Sequence, residues 1–282
     1  MRIINTEIIE KYKNYLTEEE RSQATINKYE RDITAFCIWL NGRGIEKQIL
    51  LEYKETIMAS YAPRSVNSIL SSLNSLFDYL GWHDCKVKTL KIQKQIFADK
   101  DKELTKAEYT RLLKAAKNKK NERLYYLMQT ICSTGIRVSE LKYITVEAVN
   151  SKQVNINCKG KIRNIILPAE LCKMLKGYIK EYGIKSGSVF ISKNGKPLDR
   201  SNIWADMKKL CDNAGVLRSK VFPHNLRHLF ARTYYSLERD IVRLADILGH
   251  SSVNTTRIYT MESGEVHRRQ IERMSLLQRC TT

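Results

Sequence analysis

Phe222-Pro223-His224-Asn225-Leu226-Arg227-His228 is the stretch on which the reading of this chain turns. Pro223 suits the first turn of a helix, where its missing N–H is no loss, so the spacing predicts a helix running to about Ser236. His224 and Arg227, three residues apart, then project from one face with His228 near them. Two further pieces follow, Leu248-Gly249-His250 and Thr256-Arg257-Ile258-Tyr259-Thr260. Ile241 to Leu248 reads as a helix stopped by Gly249, which places His250 at its C-terminal edge. Val253 to Thr260 reads as a short helix bearing Tyr259. Imidazoles, guanidinium groups and a phenol gathered in a basic protein are equipment for work on phosphate. Histidines at i and i+4 can also chelate zinc. The Glu of an H-E-x-x-H pattern is missing, however, and Arg227 between them would repel a cation, so no metal is expected.

Outward from this stretch, charge is the next signal. The chain of 282 residues carries a formal net charge of +19. Residues 1–98 hold 14 Lys and Arg against 12 Asp and Glu, whereas residues 99–282 hold 35 against 18. That asymmetry points to a polyanion held mainly by the second half, because Lys and Arg gain affinity by displacing phosphate counterions. The alternative is a basic surface that serves solubility. The length suits one large domain or two modest ones. No apolar run approaches the ~20 residues needed to span a bilayer. Glu7 and Glu10 interrupt the N-terminus where a signal peptide would be apolar, so a cytoplasmic location is expected. Seven dispersed cysteines (37, 85, 132, 158, 172, 211 and 280) without a C-x-x-C pair read as reduced thiols.

Residues 1–95 read as wholly helical. Ile8-Ile9, Tyr12 and Tyr15-Leu16 repeat at helical spacing. Thr25 opens a second helix with Ile26, Tyr29, Ile33, Phe36, Cys37 and Leu40 on one stripe, stopped by Asn41-Gly42-Arg43-Gly44. A third covers about 47–59, and a fourth starts near Pro63. Lys86 to Lys102 is polar with little periodicity and reads as a linker. Thr105-Lys106-Ala107-Glu108 has capping-box spacing and restarts the fold. A helix at about 122–133 ends at Thr134-Gly135, and Arg137 follows at the mouth of a new short helix with Glu140 on the same face. From Gln153 to Leu167 the period changes to two, predicting a β-hairpin whose turn is Lys159-Gly160-Lys161. Beyond it, a helix to about Tyr182, a strand from Ser188 to Ile191 and a helix from Ser201 to about Ala214 are expected. The fold class is therefore mainly α with a small antiparallel β-sheet (α+β).

In order, the polar set is T-G-I-R-V-S-E-L, a hairpin with K-G-K, H-N-L-R-H, L-G-H, and a tyrosine nine residues later. This resembles the tyrosine recombinases, the phage integrase family that includes the Xer-type recombinases. The likeness covers nearly the whole chain. It implies a helical, SAM-like core-binding domain at 1–95, a linker at 96–103 and a DNA breaking-rejoining catalytic domain at 104–282. By the same resemblance a C-terminal helix at about 264–279 would dock on its own domain or on a neighbouring protomer.

The resemblance also implies roles. Arg137 and Arg227 match the arginines that clamp the scissile phosphate. Lys159 matches the hairpin lysine that protonates the 5′-oxygen leaving group. The hairpin here is one residue shorter than the common K-G-x-K-x-R, which leaves Lys161 as an alternative. His224 and His250 match positions that orient phosphate and nucleophile, and Glu140 a supporting acidic position. Tyr259 matches the nucleophile, and His228 is secondary.

No cofactor and no metal are implied, because the phosphotyrosyl ester stores the bond energy needed for rejoining. The expected partners are double-stranded DNA with inverted-repeat core sites and further copies of the chain in a homotetramer, or a related recombinase, acting through a Holliday junction. A cytoplasmic, nucleoid-associated enzyme for Xer-like resolution, mobile-element integration and excision, or inversion is implied. The alternatives are a type IB topoisomerase-like enzyme that relaxes DNA and a non-catalytic DNA-binding protein.

Overall fold

The computed structural model describes residues 2–93, 100–158, 161–192, 194–260 and 264–274. Its contacts divide the chain into two units, Met1–Lys94 and Gln95–Thr282. The first is built from α1 (Thr6–Glu18), α2 (Gln23–Leu40), α3 (Lys47–Ser60) and α4 (Pro63–Tyr79). The stripe read on α2 is its buried side, with Ile26, Ile33, Phe36 and Leu40 in the core and Tyr29 and Cys37 at its edge. The helix begins two residues before Thr25 because Ser22 Oγ accepts the Thr25 N–H and caps it. It ends at Asn41, which itself takes the left-handed conformation (φ 46°) that the sequence suggested for glycine. Pro63 occupies the first turn of α4.

A buried polar link ties α2 to α4. Lys28 Nζ donates to Asp32 Oδ2 (2.7 Å), Ser72 Oγ (2.7 Å) and Ser68 O (2.6 Å), and Ser72 Oγ donates to Asp32 (2.8 Å). The segment after α4 is also fastened to this unit. Asn74 pairs with both backbone groups of Val87 (2.8 and 3.0 Å), and Asn67 does the same with Leu90 (2.9 and 2.7 Å). The polar stretch read as a linker from Lys86 is therefore held by side-chain amides as far as Leu90. Residues 94–99, which include the first half of the expected 96–103 linker, lie outside the described residues.

In the second unit Thr105 and Glu108 form the expected capping box. Glu108 Oε2 accepts from Thr105 N (2.8 Å), and Thr105 Oγ1 accepts from Glu108 N (3.2 Å). The box opens α5 (Lys106–Asn118), and α6 (Glu122–Thr134) follows with Leu124, Leu127, Met128 and Ile131 inward. A 3₁₀ segment (Val138–Tyr143) and α7 (Val146–Ser151) lead into β1 (Gln153–Cys158) and β2 (Lys161–Ile166). The two strands pair antiparallel, with Gln153 opposite Ile166 and Cys158 opposite Lys161. After α8 (Ala169–Glu181), the strand expected at Ser188–Ile191 is reduced to isolated bridges, Thr145 with Ser188 and Ile191 with Pro197. The described sheet is thus two-stranded. The helix expected from Ser201 to Ala214 is broken into α9 (Arg200–Lys208) and α10 (Cys211–Ala214), with Lys119 Nζ taking the Lys209 carbonyl at the break.

The C-terminal elements are α11 (Pro223–Glu238), α12 (Ile241–Leu248), α13 (Val253–Thr256), a 3₁₀ turn at Arg257–Tyr259 and α14 (Gly264–Arg273). The single helix expected over Val253–Thr260 is therefore two short pieces, with Tyr259 on the second. α11 packs between α6 and α12, placing Leu226 and Leu229 in the core that α6 also lines. On α14 Ile271 and Met274 are exposed, and residues 275–279 of the expected docking helix lie outside the described residues. Among the described residues no helix is long and apolar enough to cross a membrane.

Candidate active site

The site is built around the C-terminal end of α12. Gly249 ends that helix in the left-handed conformation (φ 63°), so that the capping N–H groups take the Ala245 and Asp246 carbonyls and the Leu248 and Gly249 carbonyls are met by side-chain donors. Those carbonyls are the partial negative end of the helix dipole, and guanidinium groups from three different elements meet them. Arg137, just ahead of the 3₁₀ segment, donates from Nη2 to Gly249 O (3.1 Å). Arg227 on α11 donates from Nη2 to Leu248 O (2.7 Å), and Arg163 on β2 donates from Nη1 to the same carbonyl.

Arg227 is only 1% exposed. Besides Leu248 O it donates to Gly135 O, the carbonyl at the end of α6, and from Nη2 to His250 Nε2 (3.0 Å). Burial, and then the neighbouring Arg137 charge, push its pKa down to about 10, while the Tyr259 phenol in hydrogen-bonding reach opposes the shift. Its Nε is buried without a partner. Gly135 has a positive φ of 66°, and a Cβ there would sit 2.5 Å from Phe230 Cδ1, so the turn that presents this carbonyl requires glycine.

Arg137 is fixed by Glu140. Glu140 Oε1 accepts from Arg137 Nη1 (2.9 Å) and Oε2 from its backbone N–H (2.9 Å). Glu140 is 7% exposed, so this is no surface ion pair. Its Oε2 also accepts from Arg163 Nη2 at 2.6 Å.

The aromatic side of the site is a row of rings. His224 meets His228 edge-on with centroids 4.6 Å apart, and His228 meets Tyr259 edge-on at 4.6 Å. His250 stacks on Tyr259 at 5.9 Å. An arginine only donates, so His250 Nε2 is an acceptor and its proton sits on Nδ1, which donates to Thr256 Oγ1 (2.8 Å). Burial and the Arg227, Arg137 and Arg163 charges hold the His250 pKa down to about 4. Burial, then His224 and Arg227, do the same for His228, also to about 4. Loss of solvent and the charges of Arg227, Arg200 and Arg137 lower His224 as well. All three rings are neutral at neutral pH. Tyr259 is 3% exposed, sharing a small core with Ala231, Leu244 and Leu248.

Of the residues singled out in the sequence, Arg137, Arg227, His250 and Tyr259 converge on the Leu248–Gly249–His250 corner. His224 joins them through His228. Lys159 lies outside the described residues, and of Lys161 only the backbone at the start of β2 is described. His228, read as secondary, is the ring in edge contact with both His224 and Tyr259; its signal was its place one turn beyond His224. Arg163 was not singled out, since an arginine on a strand carries no periodic signal toward a site. Thr256, fully buried under His250, was likewise passed over.

The phage integrase family model matches residues 102–265, and the family's N-terminal SAM-like domain matches residues 9–84. The chain belongs to the phage integrase family. Among curated members, the tyrosine recombinase XerA of Pyrococcus furiosus is 30% identical over 290 residues, covering 98% of this chain and 97% of the relative. The tyrosine recombinase XerD of Xanthomonas axonopodis pv. citri is 28% identical, covering 93% and 94%. Among solved members of the fold, a lambda integrase dimer bound to a COC′ core site superposes with a TM-score of 0.74. It is 18% identical and is matched over 92% of this chain and 96% of that one. XerH bound to its difH substrate before cleavage gives a TM-score of 0.68 at 22% identity, over 90% and 80%. For this integrase-family chain these two likenesses establish the two-domain fold.

Proposed function

We propose that the protein is a site-specific DNA recombinase that cuts and rejoins DNA through a phosphotyrosyl intermediate, with Tyr259 as the nucleophile. The observation that carries the reading is the convergence of Arg137, Arg227 and Tyr259 on one corner of the fold. A phosphodiester entering that corner takes up the guanidinium N–H groups of Arg137 and Arg227 that the backbone carbonyls and Glu140 leave unused. Forked guanidinium donors fit phosphate oxygens and stabilise the charge that grows on them as phosphorus becomes pentavalent. Tyr259 Oη then bonds to phosphorus and the bond to the 5′-oxygen breaks, leaving a 3′-phosphotyrosyl link. The phenol proton passes to a neutral imidazole of the His224–His228 pair, and the 5′-oxygen takes a proton from the hairpin lysine, Lys159. Because the ester keeps the bond energy, another 5′-hydroxyl reverses the step without ATP. Tyr259 is 3% exposed, so attack requires the turn at 257–260 to shift.

The surroundings support this reading. XerH has been captured on difH DNA, and a lambda integrase tetramer on a Holliday junction. By analogy this chain acts on duplex DNA as a homotetramer on inverted-repeat sites. Residues 1–95 supply core-site contacts, and the basic catalytic unit supplies most of the phosphate contacts. The C-terminal helix that begins with α14 docks on its own domain or on a neighbouring protomer. A cytoplasmic enzyme at the nucleoid fits this partner.

The test is to select a binding site from random-sequence DNA, nick it beside the scissile phosphate, and look for covalent protein–DNA adduct. The native chain forms it and Tyr259→Phe does not. Adduct that persists in Tyr259→Phe removes Tyr259 from the role.

A further inference from the structure

The proposed reaction leaves one buried cation of the site unused. Arg163 reaches out of β2 with its side chain 11% exposed and makes two bonds, to Glu140 Oε2 (2.6 Å) and to Leu248 O. Both acceptors are shared. Glu140 holds Arg137 on its other oxygen (2.9 Å), and Leu248 O also takes Nη2 of Arg227 (2.7 Å). Arg163 is therefore the one side chain bonded to an acceptor of each phosphate-binding arginine among the described residues. The corner is shaped around it as well. A Cβ on Gly249 would stand 2.4 Å from Arg163 Cδ, so the chain at the end of α12 passes against this side chain with no room to spare.

As a stability device the arrangement is weak. The Nε of Arg163 is buried without a partner, and burial lowers its pKa despite the Glu140 carboxylate. A buried ion pair of this kind is commonly matched or bettered by apolar side chains of similar volume. As a geometric device it is strong. A planar fork that spans two acceptors fixes their separation, which a lysine, a single point of charge, does not. Reaction rates are sensitive to such spacing, since displacement by ~1 Å at a reacting centre costs on the order of a hundredfold.

We propose that Arg163 is a positioning residue for strand transfer. It clamps Glu140 and the Leu248 carbonyl, and so fixes the spacing of the Arg137 and Arg227 guanidiniums that receive the scissile phosphate. This deepens the recombinase reading and rests on it.

The experiment compares the native chain with Arg163→Lys and Glu140→Gln in single-turnover cleavage of the selected, nicked duplex. Three scissile linkages are used: the ordinary diester, a methylphosphonate, and a diester with sulfur in the 5′ bridging position. A methylphosphonate lacks one charged oxygen and depends less on a matched pair of guanidiniums. A sulfur leaving group needs no acid. DNA affinity and thermal unfolding are followed in parallel.

Arg163→Lys is expected to bind DNA as the native chain does and to cleave the ordinary diester tenfold to a hundredfold more slowly. That deficit shrinks to threefold or less on the methylphosphonate and persists on the sulfur substrate. Glu140→Gln, which keeps both arginines but weakens their shared carboxylate, shows the same pattern and carries the test if Arg163→Lys fails to fold. Cleavage of the diester at the native rate overturns the proposal. So does an equal deficit on all three linkages that follows the loss of thermal stability, which reduces Arg163 to a structural residue. Rescue by sulfur alone also overturns it, because Arg163 would then serve the hairpin acid. A native chain that forms no adduct on any linkage sinks the recombinase reading itself.

Discussion

Replacing Arg227 by methionine separates catalysis from folding at this site. The substitution keeps a long apolar stem and removes the charge. It strands two buried acceptors, Gly135 O and His250 Nε2, whereas Leu248 O retains Arg163. Each stranded acceptor costs about 1–3 kcal/mol, together about 2–6 kcal/mol. Against that stands the strain of the buried charge itself. Its pKa is pushed down from 12.5 to about 10, which corresponds to roughly 3 kcal/mol at about 1.4 kcal/mol per unit and vanishes with the guanidinium. The net lies between about −1 and +3 kcal/mol, a Tm change below ~12 °C for a unit of this size. Activity responds on a different scale. Loss of one preorganised donor to a developing phosphate charge costs on the order of 10²–10³ in rate. Arg227→Met should therefore be folded at 25 °C, bind the selected duplex, and form covalent adduct at least a hundredfold more slowly. Single-turnover cleavage alongside a thermal melt reads both quantities. Cleavage within threefold of native, or a loss that follows unfolding alone, would refute the reasoning.

The imidazole row and the hairpin supply two further predictions. His228 and His250 are held near 4 in the folded chain, against 6.5 for a free imidazole. The unfolded chain therefore binds more protons between those values, and stability present above pH 6.5 is lost as pH falls toward 4. After discounting for partial exposure, the loss is on the order of 2–3 kcal/mol between pH 7 and 4. Urea unfolding at the two pH values measures it, and His228→Phe should flatten the slope; an unchanged slope removes His228 from the account. At the hairpin, Lys159→Ala should lose cleavage of the ordinary diester and regain it on the 5′-sulfur substrate. Recovery in Lys161→Ala instead would move the acid two residues along.

The fold was legible wherever the deciding interaction is local. Thr105 and Glu108 form their capping box three residues apart, Pro63 and Pro223 open the helices they head, and Gly249 stops the helix it follows. The break at Lys209-Leu210 and the loss of a strand at 188–191 were not legible. Periodicity reports which residues face inward, and cannot tell one bent helix from two or a paired strand from an extended loop. The same division runs through the site. Arg137 and Glu140 could be paired from their spacing, yet the second guanidinium on Glu140, that of Arg163, lies 23 residues further along. His228 was set aside because its partner, Tyr259, is 31 residues away and reaches it only through the packing of α11 against the 257–259 turn. Asn67 and Asn74 fasten residues 87–90 by backbone pairing, which leaves no trace in the composition of that segment.

The central claim is that Tyr259 attacks DNA at a phosphate set by Arg137 and Arg227. Its most direct test is to trap the adduct on a nicked duplex, digest protein and DNA, and locate the linkage by mass spectrometry. The account predicts a 3′-phosphoryl group on the peptide holding Tyr259 and a free 5′-hydroxyl on the released strand. A 5′-phosphoryl link, or an adduct on any of the other tyrosines, would contradict it.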